Sequence, residues 1–140
     1  MIVNADITIF NRRYVKEDRT EKYVATRIRG VSFYGKRSSS SSGTEMTTDD
    51  TYTIRIPVSA DMEGKEYVEE ISYKGMTDEE AAHFWTLQKG AFIVRGISDT
   101  DTMTEREICE SYPDVVIITD YTDNRDRCSD AMRHWRVGGK

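Results

Sequence analysis

The sequence predicts a mainly β protein (β+α): a small antiparallel β-barrel or sandwich with one or two short helices. Three observations carry this. Several stretches alternate apolar and polar residues with the period of two that a strand requires. No strand candidate is followed by a long amphipathic crossover helix, which a parallel partner would need. The stretch from Trp85 to Gly96 holds the continuous apolar run Ala91-Phe-Ile-Val94 between Gly90 and Gly96, the pattern of a strand buried on both faces or set in a barrel wall.

The elements follow in chain order. In Ala5–Tyr14, Ile7 and Ile9 share one face and Asp6, Thr8 and Phe10 the other, which reads as a strand. A polar turn from Val15 to Glu21 leads into the longest candidate, Lys22–Tyr34. Val24, Thr26 and Ile28 alternate there until Gly30 breaks the pattern, as a bulge or sharp bend does. A long bent strand is one way for a small barrel to turn a corner. These two strands should pair as an antiparallel hairpin.

Residues 35–50 contain Ser38, Ser39, Ser40, Ser41, Ser42 and Gly43 in succession. Such a tract buries no apolar surface, so a flexible hairpin-tip loop is expected. Thr51–Pro57 is a strand by β-branched content and strict alternation, ended by Pro57. Tyr67–Tyr73 reads equally as a short edge strand or a loop. Thr77 and Glu80 make a capping box for a short helix that gives out near Trp85. Lys89-Gly90 supplies the tight entry into the apolar run, because glycine takes positive φ without a Cβ clash.

After the acidic loop Ile97–Thr102, a second short helix is expected up to Tyr112, stopped by Pro113. Thr102 with Glu105 and Thr104 with Glu107 are alternative capping boxes for it. Asp114–Tyr121 and Ala131–Val137 complete the strands.

With 140 residues, the chain fits a single domain over 1–140 and needs no disulfide or metal to bury a core. The hydrophobic share is 37% and the charged share 32%, which leaves much of the chain as surface loop or surface for a partner. The net charge of −5 is unevenly spread. Residues 1–60 carry ten Lys/Arg against seven Asp/Glu, a net of +3, and residues 61–140 carry ten against eighteen, a net of −8. The balance argues against generic nucleic-acid binding, and the asymmetry suits head-to-tail packing of identical subunits. Neither a signal peptide nor a membrane-spanning stretch is visible, so a cytoplasmic location in the host cell, or a place in an assembled particle, is expected.

Motifs for chemistry are missing. Gly90 and Gly96 lack the Lys-Ser/Thr of a phosphate loop. Cys109 and Cys128 match no zinc or redox spacing, and read as two reduced thiols. His83 and His134 show no metal-ligand spacing with them. Asp120, Asp123, Asp126 and Asp130 resemble a calcium ladder but lack the glycine and the closing glutamate of one. No serine sits in a nucleophile elbow. The arginines near aromatic residues, Arg12-Arg13, Arg27, Arg29, Arg133 and Arg136, are expected to pair with acids and stack on rings. No catalytic residue, cofactor or metal site is therefore expected.

Three segments together carry a family resemblance: Asn4 to Arg12; Tyr52–Pro57 with Trp85–Gly96; and Thr119–Arg125 with His134–Lys140. On these the chain resembles a family of small prophage-encoded proteins from the head–tail and minor capsid gene clusters of Gram-positive bacteria. The resemblance implies a non-enzymatic phage structural protein: a head–tail connector, head-closure or minor capsid component acting by protein–protein packing. Its partners would be other phage structural proteins, with a homo-oligomeric ring on assembly and a monomer in isolation. The expected contacts are Ser38–Gly43 and the acidic loop of Ser98, Asp99, Thr100 and Asp101. The rival reading is a cytosolic β-barrel module for a small ligand or oligonucleotide, marked by a deep pocket in place of a filled interior.

Overall fold

Strand β1 (Ala5–Val15) pairs antiparallel with β2 (Thr20–Ser42), and the pairing bulges once. Ala5 lies opposite Val31 while Asp6 lies opposite Arg29, so Gly30 is the extra residue. Its φ of +87° is open to glycine at no steric cost, and its N–H donates to the Asp6 carboxylate at 3.0 Å. The bend anticipated at Gly30 is therefore real, and its consequence is a change of partner. Beyond it, β2 leaves β1 and pairs with β3 (Glu45–Pro57).

The computed structural model describes residues 3–15, 20–42, 45–112, 114–126 and 133–140. The order continues with β4 (Glu66–Tyr67), α1 (Glu70–Lys74), α2 (Asp78–Ala81) and β5 (Phe84–Trp85). It closes with β6 (Phe92–Arg95), β7 (Thr102–Met103), α3 (Glu105–Ser111), β8 (Val115–Asp123) and β9 (His134–Gly139). The main sheet runs β1-β6-β8-β9-β3-β2-β7, and β1 also pairs with β2. The hydrogen-bonded circuit thus returns on itself. It is not a uniform cylinder, because β2 and β8 each change partners midway and so join two sheets. The result is a mostly antiparallel, β-rich fold with three short helices among the described residues.

Side chains fill the interior. Ile7, Ile9, Ile28, Ile54, Leu87 and Ile93 pack there with Trp85 and Trp135. The two indoles meet edge to face at 5.1 Å, and Tyr67 sits 5.1 Å and 5.0 Å from them. Such aromatic contacts add to the large apolar area these rings bury. A second cluster lies on the outer face of β1 and β2, where Phe10, Tyr23, Phe92 and Val94 are covered by Met103 and Ile108. This explains why β6 is apolar on both faces, with Ile93 in one cluster and Phe92 and Val94 in the other.

The stretch from Trp85 to Gly96 does supply a central wall strand, since β6 pairs with both β1 and β8. Trp85 itself is not a helix exit. It belongs to β5, which pairs in parallel with β4. The helix predicted from Thr77 covers only Asp78–Ala81, with Thr77 Oγ1 accepting from the Glu80 N–H at 3.2 Å. Of the alternative boxes before α3, Thr104 with Glu107 forms, because Thr102 is held in β7 against Val24.

Tyr67–Tyr73 is neither simple edge strand nor loop. Tyr67 ends β4, and Glu70–Lys74 makes one helical turn that buries Tyr73 and pairs Glu70 with Lys74 at 3.3 Å. The Ser-rich segment expected as a loop at 35–50 also differs. The backbone carries β2 to Ser42 and starts β3 at Glu45, leaving Gly43 outside the described residues. The β-branched Thr47, Thr48, Thr51 and Thr53 favour a strand there. The last strand is displaced toward the C-terminus, to His134–Gly139, and so takes in both terminal glycines.

A candidate interaction surface: a basic cleft and a two-stranded arm

Arg13 on β1 and Arg27 on β2 are each fixed by chain segments distant in sequence. The Arg13 guanidinium donates to the Tyr73 carbonyl at 2.9 Å, the Met76 carbonyl at 2.7 Å and the Asp78 carboxylate at 3.0 Å. It also lies over the Tyr73 ring, 4.9 Å from its centroid. One planar fork thereby ties the end of α1 and the start of α2 to β1. Arg27 donates to the Ser98 carbonyl at 2.6 Å and pairs with Asp101 at 2.8 Å and Glu63 at 3.5 Å.

Between these two pairs lies a cleft of about 700 Å³, whose wall includes Lys22, Lys65 and the carboxylates Asp78 and Asp101. The Lys65 ammonium donates to the Ala25 carbonyl at 2.9 Å and the Thr26 hydroxyl at 3.2 Å. Burial, and then the positive charge of Arg27, hold its pKa below the usual lysine value. The two carboxylates in the wall are already paired with the two arginines. Lys65 has no such ion-pair partner among the described residues. The wall thus brings Arg13, Lys22, Arg27 and Lys65 together with Asp78 and Asp101.

The residues expected to contact partners separate into two groups. Ser98 is buried. Its hydroxyl accepts from Tyr112 at 2.8 Å and from the Thr100 N–H at 3.2 Å, and its own N–H donates to Thr8. Asp101 is held by Arg27, and its carbonyl accepts from the Ala25 N–H. This loop is thus pinned along β2, with only the side chains of Asp99, Thr100 and Asp101 exposed.

Ser38–Ser42 lie elsewhere, in a two-stranded arm. β9 accompanies β3 only from Tyr52 to Pro57. Seven further pairs, from Lys36 opposite Thr51 to Ser42 opposite Glu45, join β2 to β3 with no third strand beside them among the described residues. Sequence reasoning missed Lys65 and the cleft altogether, because its parts come from residues 13, 22, 27, 65, 78 and 101 and no local motif joins them.

The remaining candidates do not converge. His83 is exposed and far along the fold from His134, which faces Asn124 at 3.4 Å. Cys109 is an exposed free thiol on α3, and Cys128 lies outside the described residues. Asp123 is gripped by Arg125 at 2.6 Å, which holds its carboxyl below the usual range. Arg125 in turn covers the Tyr67 and Trp135 rings at 5.1 and 5.2 Å, closing that end of the interior. Asp130 lies outside the described residues. Among the described residues no group of three His, Cys, Asp or Glu side chains is arranged to hold a metal ion. No helix there is long and apolar enough to cross a membrane.

No curated protein and no solved structure matches the chain. A family model does, over residues 2–140, and it describes a family of unknown function (DUF6751).

Proposed function

The chain belongs to that family of unknown function, and on this premise we propose that it is a non-enzymatic phage or prophage structural protein. It would serve as a head–tail connector, head-closure or minor capsid component, acting by protein–protein packing. The proposal begins from the sequence resemblance, and one structural observation supports it most. A filled barrel-like body carries a two-stranded arm that no other strand joins among the described residues. An isolated two-stranded ribbon is marginally stable in water. Edges that pair with no further strand among the described residues are suited to contacts with another chain.

The rival reading, a barrel module for a small ligand or oligonucleotide, requires an interior with room. Trp85, Trp135, Tyr67 and the surrounding isoleucines occupy that space, so the packing reading is preferred. The test is to induce particles from the host that carries the gene and analyse purified virions by quantitative mass spectrometry. A fixed number of copies per particle is expected, with loss of head–tail joining on deletion. Complete, infectious particles lacking the chain would overturn the proposal.

A further inference from the structure

We propose that the cleft around Lys65 is a covalent attachment site for a small aldehyde or ketone, which Lys65 captures as an imine. The inference is independent of the packing reading and adds a site to it.

Three observations lead to it. First, Lys65 is held at both ends. Its backbone N–H donates to the Met62 carbonyl at 3.2 Å, across a turn in which Glu63 and Gly64 take φ of +56° and +82°. Asp61, just before that turn, exchanges both backbone hydrogen bonds with Arg29 of β2, at 2.8 and 3.1 Å. At the tip, Nζ is fixed on the Ala25 carbonyl and the Thr26 hydroxyl.

Second, these partners suit the free amine. An ammonium carries three N–H donors, and an amine carries two with a lone pair. Two uncharged acceptors use both donors of the amine and leave its lone pair for an electrophile. Burial and the charge of Arg27 act against the ammonium, and they outweigh Asp101 and Glu63, which favour it. Arg27 is not free to withdraw, because its guanidinium is engaged by the Ser98 carbonyl, Asp101 and Glu63. Desolvation beside a fixed cation makes a lysine nucleophilic near neutral pH.

Third, there is room for the electrophile. The cleft of about 700 Å³ is the size of a small-molecule site, and Val24, Ala25, Ala81 and Ala82 give it an apolar wall beside Lys65. The lone pair of Nζ bonds to the carbonyl carbon, and the π pair of the carbonyl moves to its oxygen. Both amine protons pass to that oxygen, which leaves as water, and the imine remains. The step needs no oxidant or reductant.

Reductive labelling of the full chain tests this. Propanal is the probe, cyanoborohydride traps the imine as a secondary amine, and peptide mass spectrometry reads each lysine. At neutral pH Lys65 is expected to react about tenfold faster than the exposed Lys89. Its rate is expected to level off at a lower pH than that of Lys89, and the preference to vanish in urea. Arg27→Gln is expected to narrow the preference and Asp101→Asn to widen it, since one removes a cation near Nζ and the other an anion. Circular dichroism checks that each variant folds, and Asp101→Asn carries the comparison should Arg27→Gln not fold. A Lys65 that reacts no faster than Lys89 in the folded chain, a preference that persists in urea, or folded variants that leave it unchanged would overturn the proposal. Absence of the chain from virions would sink the packing reading and leave the labelling result standing.

Discussion

The carboxamide of Asn11 pairs with both backbone groups of Thr86, donating to its carbonyl at 2.6 Å and accepting from its N–H at 3.1 Å. One residue on, Gln88 does the converse. Its carboxamide accepts from the Arg12 N–H at 2.8 Å and donates to the Arg12 carbonyl at 3.2 Å. Side chains thus continue the ladder between β1 and the chain that leads into β6. Buried backbone groups need partners, and residues 86–88 are buried without belonging to a strand. Asn11→Ala leaves both groups of Thr86 without these partners and is expected to cost about 2–4 kcal/mol. Chemical denaturation checks this. The loss with Gln88→Ala is expected to be non-additive, since the two amides serve one seam.

Gly139 is placed where β3 and β8 both press on β9, opposite Tyr52 and Ile118. A Cβ there would lie 2.8 Å from the Ile117 carbonyl oxygen and against the Val116 side chain. The oxygen belongs to paired backbone and cannot swing aside. Gly139→Ala is therefore expected to destabilise by about 1–3 kcal/mol through overpacking, read as a lowered midpoint in urea. Gly30→Ala tests a separate cause. No atom lies near its would-be Cβ, so any loss there comes from the positive φ alone.

Trp85 and Phe92 probe the two cores. Trp85 is completely buried against Trp135 and Tyr67, and its indole N–H reaches the Met62 sulfur at 3.1 Å. Phe92 packs on Tyr23 with ring centroids 5.0 Å apart. Either change to Ala is expected to cost about 3–5 kcal/mol. A cost below about 1 kcal/mol on thermal unfolding would mean that the site collapses around the gap.

Alkaline pH should destabilise the fold through its tyrosines. Burial is the leading cause that raises the pKa of Tyr67, Tyr73, Tyr23 and Tyr121 above 10.0. A raised folded pKa means the native state keeps its proton after the unfolded chain has lost it. The stability these groups contribute is full below pH 10 and falls as pH rises from there through their folded values. Lys65 works the other way, because its lowered pKa makes stability rise with pH up to its unfolded value of 10.5. Four tyrosines against one lysine predict a net loss. Unfolding followed by tyrosinate absorbance should show the titration and the loss together, and Tyr67→Phe should reduce both.

What could be read in the sequence was what local patterns encode. Alternation marked β1, the first part of β2 and β3. Gly30 marked the bulge, Thr77 and Glu80 the cap, and Gly90 the turn, whose φ is +85°. The parallel pairing of β4 with β5 was not legible, because strands of two residues leave no periodic pattern and are set by contacts such as that of Tyr67 with Trp85. Nor was α1, where Arg13, more than fifty residues away, holds the carbonyls of Tyr73 and Met76. The charge asymmetry between the two halves was visible in composition. That Asp101 and Glu63 would pair with Arg27, and that Lys65 would turn to Ala25 and Thr26, was not.

The arm and the body should be separable. Residues 36–42 of β2 pair with 45–51 of β3, while Gly35 and Tyr52 are the first pair that β9 also joins. Tyr52 also packs on Phe33 with centroids 5.6 Å apart, which anchors the root of the arm to the core. Replacing 36–51 by Asn-Gly, which favours a tight type I′ hairpin turn, removes the arm without touching these contacts. The shortened chain is expected to fold with thermal stability within about 1 kcal/mol of the original, since shortening a loop changes closure entropy only slowly. It is expected to lose the ability to join heads to tails when supplied in place of the full chain. A shortened chain that fails to fold, by circular dichroism and hydrogen exchange, would mean that the ribbon contributes to the body and is no arm. One that folds and still supports particle assembly would place the contacts elsewhere on the surface.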